Sequence, residues 1–176
     1  MSDDSERSYL PWAMAALVLV IGGAKIDAAR PLVGRALALA VPVVPVALGV
    51  NRVEGGSVKV ERAATTVGWL TIAAGELCVI NGLFGVSALD GAAPVARLLL
   101  AVAGVAALVV HTLEARSQGK ARFAGYVGIA VGFSFYLSNH VGRDPFASVF
   151  GALFVGLGVG GGVGLLTGEV LARLFK

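Results

Sequence analysis

The sequence predicts an all-α, polytopic integral membrane bundle of about six transmembrane helices, and three observations carry that prediction. The 176 residues are 57% hydrophobic and only 14% charged, with a mean hydropathy of +0.84; that is too little polar surface for a soluble globule of this length. Apolar runs recur along the chain, and a hydrocarbon core of ~30 Å takes about 20 such residues per helix. Most of the charge lies in the short segments between the runs. Inside lipid the backbone must satisfy its own hydrogen bonds, so runs of this kind form helices packed in a bundle.

The elements follow in order, as one helical domain over residues 9–176 after a polar, acidic tail at residues 1–8. The first run, 9–24, lacks the positively charged lead of a secretory signal and reads as a retained helix. Tyr9 and Trp12 stand where an aromatic belt would put them, and Pro11 falls in the first turn, where its missing N–H is harmless. The second run, 31–50, opens on Pro31 and contains Pro42 and Pro45. Each internal proline removes a backbone hydrogen bond and predicts a kink whose freed carbonyl needs a packed neighbour or water. The loop NRVEGGSVKVER reads as a tight turn at Gly55-Gly56 between two short extended arms. The third run, 63–86, AATTVGWLTIAAGELCVINGLFGV, is organised around one carboxylate, Glu76. The fourth, 95–113, ends in the polar stretch EARSQGKAR; the fifth spans 121–141 and the sixth 146–172.

Six helices place both ends of the chain on one side. The N-terminal tail, Arg52, Lys59, Arg62, Arg116, Lys120, Arg122, Arg173 and Lys176 then share a face, against Lys25, Arg30, Arg35, Arg97 and Arg143 on the other. The excess predicts that both termini are cytoplasmic, in the cell membrane, with several passes. The formal charge of +3 is spread over these connections rather than gathered in one patch, so the bilayer is the partner it implies and nucleic acid is not. Cys78 is the only cysteine; it lies within an apolar run and reads as a small packing residue, which excludes an intrachain disulfide and a cysteine-based metal site.

Gly156, Gly160, Gly164 and Gly168 recur every four residues on the sixth run, beside a second row at Gly158 and Gly162. Such spacing lets helices approach closely in lipid. Gly128 and Gly132 offer a matching stripe on the fifth run. The ladder packs the sixth helix inside its own bundle, or it packs against a second copy or another membrane protein. A third reading makes Gly160-Gly161-Gly162 a hinge or a partly unwound substrate site.

Glu76 is the residue that most needs a function. Ionised and alone at membrane depth it would cost several kcal/mol or more, so it faces the bundle interior and is protonated, paired or wet. A structural hydrogen bond or salt bridge that sets helix register is the competing role. Arg35, Asn81, Asn139 and His140 lie toward the outer face and form, with Glu76 as floor, a candidate ligand or ion pathway. Arg35 has a second fate, reaching outward to the headgroups. His111, at the other end, reads as interfacial, and its distance from His140 argues against a two-histidine metal site.

No catalytic constellation emerges. DGAAPVAR, residues 90–97, resembles the opening of the CDP-alcohol phosphotransferase motif, but the later aspartate pair that would hold metal ions is missing. Asn139, His140 and Asp144 resemble the His…Asp motif of glycerolipid acyltransferases with the spacing one residue short. GFSF is not the GxSG of rhomboid proteases, so Ser134 has no motif behind it as a nucleophile. There is no P-loop, zincin helix or dinucleotide fingerprint, and no cofactor or metal is implied. Two function classes are left ahead of an enzyme: a protein that moves or gates a small solute or ion through Glu76, and a non-catalytic accessory subunit that binds other membrane proteins through its glycine faces.

Overall fold

The computed structural model describes residues 29–53, 57–139 and 144–175. These residues form five α-helices and no strand: α1 Arg30–Val53, α2 Val58–Phe84, α3 Ala93–Gln118, α4 Phe123–Leu137 and α5 Pro145–Leu174. Among them four, α1, α2, α3 and α5, are long and apolar enough to cross a membrane, which fits a membrane protein. The first run, 9–24, lies outside the described residues.

The outer faces of the helices are apolar. Trp69 is 68% exposed, Phe154 81% and Leu174 72%, a distribution that fits contact with lipid. The buried positions instead favour small residues. On α1 they are Gly34, Ala38, Pro42, Pro45, Val46, Gly49 and Val53, a stripe at three- and four-residue spacing. Both internal prolines lie on that stripe, and α1 runs on as one helix through them.

The connection between α1 and α2 differs from its expected form. Helix continues to Val53 and resumes at Val58, so the residues expected to form extended arms are helical. The reason is local: the Ser57 side chain accepts from the Val60 N–H at 3.4 Å and caps the start of α2, satisfying one of the donors that every helix N-terminus leaves open. At its far end α2 stops at Gly85, whose φ of 57° is left-handed and whose N–H returns to the Asn81 carbonyl, a conformation that glycine adopts without strain.

The short helix α4 is the centre of the bundle and touches each of the other described helices. Its 15 residues make it about 22 Å long. Phe123, Val127, Ala130, Phe133 and Leu137 are fully or almost fully buried along it. Phe123 and Val127 join Val53, Val60 and Val110 in one apolar cluster, and Phe133 and Leu137 join Ala38, Val79 and Val149 in another.

A helix this buried cannot leave its ends to water, and α3 closes both of them. At the start of α4, Glu114 Oε2 accepts from the Arg122 and Phe123 N–H groups at 3.2 and 3.1 Å. Just past its end, Arg97 Nη2 donates to the Ser138 carbonyl at 2.9 Å. The acidic side chain therefore sits at the positive end of the α4 dipole and the basic one at the negative end. Glu114 is 1% exposed, and the Phe123 N–H that it accepts from is buried. Glu114→Ala is expected to lower stability by about 1–3 kcal/mol, the cost of leaving the buried Phe123 donor unpaired. Thermal unfolding in detergent would check this, with Glu114→Gln recovering most of the loss.

At the Ser138 end, α5 begins on Asp144, which accepts from the Phe146 N–H at 3.1 Å and pairs with Arg30 at 2.8 Å. Both side chains of that pair are more than two-fifths exposed. Asp144→Asn keeps the cap while removing the ion pair, and is expected to shift stability by less than about 1 kcal/mol in the same assay.

Within α5 the segment Val155–Gly161 is wound as π-helix. Gly156, Gly160 and Gly164 lie here and just beyond, directly against α4. A methyl group added at Gly128 would run into the Gly160 carbonyl oxygen, and one added at Gly160 into the Gly128 carbonyl oxygen. A Cβ at Gly132 would meet Gly160 Cα at 3.1 Å, and one at Gly156 the Ile129 carbonyl oxygen at 2.8 Å. Gly164 lies in the same way against the Ala124 carbonyl oxygen. The contact is backbone on backbone, which only glycine permits.

Candidate membrane-depth polar site

Glu76 lies roughly 27 Å along α2 from Val58, in a helix ~40 Å long, nearer the Asn81 end. It is half-buried. Its Oε1 is buried and has no hydrogen-bond partner among the described residues, in surroundings where an unmade hydrogen bond is costly.

The neighbouring Gly75 marks the point where α1, α2 and α4 meet. A Cβ there would stand 2.9 Å from Ser134 Oγ and 3.4 Å from Pro42 Cβ, so glycine is what lets the three helices close. Ser134 is fully buried, and its hydroxyl likewise has no partner among the described residues. Pro42 and Pro45 have no N–H to give the carbonyls of Ala38 and Val41, the acceptors four residues back. Among the described residues two buried side-chain oxygens without a hydrogen-bond partner, Glu76 Oε1 and Ser134 Oγ, thus belong to helices that meet at Gly75. Such oxygens suit a proton or a hard monovalent cation, which takes its ligands from carboxylates and from carbonyls at breaks in the helical ladder.

The other residues of the expected pathway are engaged locally. Asn81 is buried and its Nδ2 donates to Asp90 Oδ1 at 3.1 Å. Arg35 is exposed, with its guanidinium 5.0 Å from the centre of the Phe84 ring. Asn139 is exposed and bonds the Phe135 carbonyl at 2.9 Å. His140 lies outside the described residues. Arg35, Asn81 and Asn139 share one end of the bundle, and among the described residues no hydrogen bond joins them to Glu76.

His111 differs from its interfacial expectation. It is fully buried, with its ring under Gly168, where an added Cβ would stand 2.8 Å from Cγ. Its Nε2 is 3.8 Å from Glu169 Oε1. That contact explains Gly168: a larger residue would displace the imidazole. Sequence reasoning also missed Ser134, Arg97, Asp90 and Glu114. Ser134 belongs to no motif, and the others read as loop or helix-end charges; the fold buries Glu114, half-buries Arg97 and leaves Asp90 exposed beside Asn81. A weak signal existed for one pair: Arg97 and Glu114 stand about 25 Å apart on one helix, close to the length of the short run that follows. No protein-family model, curated protein or solved structure matches this chain.

Proposed function

We propose that this chain is a multi-pass protein of the cell membrane that moves or gates a proton or a small monovalent cation, with Glu76 as the group that binds it. The observation that carries the reading is the buried, unpartnered Oε1 of Glu76 among the described residues. An ionisable group at membrane depth without a partner among the described residues is a candidate to bind a transported ion. In this reading the Ser134 hydroxyl, also without a partner among the described residues, supplies a further oxygen, and the end bearing Arg35, Asn81 and Asn139 serves as the outer vestibule.

The topology belongs to the same proposal: six spans, including residues 9–24, with both termini cytoplasmic. It is supported by the charges, since Arg52, Lys59, Arg62, Arg116, Lys120, Arg122 and Arg173 gather at one end of the bundle. The test is ion flux into proteoliposomes reconstituted with the full chain, read by an internal pH dye and by sodium- and potassium-selective indicators, for the wild type and Glu76→Gln.

A second reading, an accessory subunit that docks other membrane proteins or a second copy, is favoured by one feature. Among the described residues nothing lies within 4 Å of a Cβ added at Gly158 or Gly162, so this row is open to a neighbouring helix. Co-purification of a stoichiometric partner in mild detergent, lost with Gly158→Leu, would favour that reading over transport.

A further inference from the structure

We propose that the basic cleft between the ends of α1, α3 and α4 binds the phosphate headgroup of an anionic phospholipid, one acyl chain of which lies in the adjoining groove between α4 and α5. The cleft has a volume of 280 Å³ and is lined by Arg52, Glu114, Gln118, Lys120 and Arg122. Its two neutralising or bridging groups are already committed. Glu114 Oε2 accepts from two backbone N–H groups, and Gln118 Nε2 donates to the Val53 carbonyl at 3.2 Å. Among the described residues Arg52, Lys120 and Arg122 have no carboxylate within 4 Å, and the one charge that Arg52 feels, Glu114, lies in the same cleft. Three cations facing one occupied carboxylate leave an excess of positive charge and a full set of N–H donors, which matches a phosphate monoester or diester.

Two features select a lipid over a soluble anion. The cleft lies at the ends of membrane-length helices, at headgroup depth, where each Lys or Arg attracts anionic lipid. Arg122 also borders a shallow groove of 320 Å³ that continues along Tyr126, Ile129, Leu157 and Leu165. Gly162 also lines the groove, and a Cβ added there would meet nothing within 4 Å among the described residues. A polar cleft and an apolar groove that share one arginine have the division of a phospholipid, headgroup to one side and chain to the other. The inference stands apart from the role of Glu76, which belongs to the opposite half of α2.

The test uses the full chain, delipidated in mild detergent and titrated with dioleoylphosphatidylglycerol or dioleoylphosphatidylcholine, with bound lipid counted by native mass spectrometry. Phosphatidylglycerol is expected to be retained at one molecule per chain with roughly tenfold or greater preference over phosphatidylcholine. At about 1 kcal/mol per basic residue, Arg122→Gln is expected to weaken it about fivefold and the double variant Arg52→Gln with Lys120→Gln about 25-fold. Leu157→Trp, which fills the groove, should weaken it while leaving every charge in place. If Arg122→Gln does not fold, the double variant carries the test of the charges. Equal retention of the two lipids, or retention unchanged in the charge variants, overturns the proposal. Displacement of the lipid by millimolar inorganic phosphate, with Leu157→Trp inert, also overturns it and reassigns the cleft to a soluble anion.

Discussion

Glu76→Gln is expected to reduce ion flux in proteoliposomes by roughly 10- to 150-fold, the loss that follows when an interaction with a charged group worth about 1.5–3 kcal/mol is removed. Gln has almost the same shape as Glu, fills the same space and can still donate and accept. The variant therefore removes the proton or cation site without opening a cavity, and thermal unfolding in detergent should change little. The contrast with a structural role is sharp. If Glu76 served only to hold α2 in register, Gln would shift stability and the wild type would carry no flux to lose. Infrared spectroscopy of the carboxyl stretch, assigned with the same variant, gives a second readout. A carboxyl on a wet pathway exchanges readily with solvent deuterium, whereas one shut into the bundle does not. Ser134→Ala is the companion variant: loss of the hydroxyl should impair flux while preserving the fold, because the hydroxyl has no partner among the described residues.

The other large effect belongs to the α4–α5 contact. Gly160→Leu is expected to prevent the bundle from folding, because its first added carbon runs into the Gly128 carbonyl oxygen and lies 3.2 Å from Gly132 Cα. Backbone atoms cannot rotate out of the way as a side-chain tip can. The helices must part, and the close approach at Gly156 and Gly164 is lost with them. Gly160→Ala adds the same first carbon and should already cost about 3 kcal/mol or more, at or beyond the upper end for overpacking, with leucine adding three further carbons to the clash. Gly158→Ala, two residues away on an open face, should be neutral, or stabilising by up to about 1 kcal/mol through the helical preference of alanine. Thermal unfolding of the three variants in one detergent separates the cases. Equal effects at Gly158 and Gly160 would mean that the contact with α4 is not what these glycines serve.

The helical class of the protein was legible because it depends on composition and run length alone. Four of the apolar runs correspond to long helices, with ends that moved by a few residues: α1 extends beyond residue 50 to Val53, and α3 beyond 113 to Gln118. Those extensions were hidden because a membrane helix need not stop where its apolar run stops. Ser57 and Gly119 close helices through local capping, which hydropathy does not register. The fifth run showed the converse. It was expected to end at residue 141, yet α4 ends at Leu137, where Arg97 receives the Ser138 carbonyl.

The candidate site was legible only at its centre. Glu76 stood out because a carboxylate in a long apolar run is expensive wherever it points. Ser134 did not, because a buried serine costs little and matches nothing by itself; its position against Gly75 exists only once α2 and α4 are packed. Likewise His111 and Glu114 read as end-of-helix polar residues, and it took the packing of α5 and α4 over them to make both fully buried.

By itself, then, the sequence determined helices as the elements, runs apolar and long enough for a bilayer, and the Gly156, Gly160 and Gly164 row as a place of close approach, since each follows from the chemistry of a run and its spacing. The tertiary structure decided which helix stands in the centre, that the Gly156 row faces α4 while Gly158 and Gly162 face outward, and that α3 supplies opposite charges to the two ends of α4. Those outcomes depend on which backbone lies a few ångströms away, and a single chain of residues carries no measure of that distance until its helices have packed.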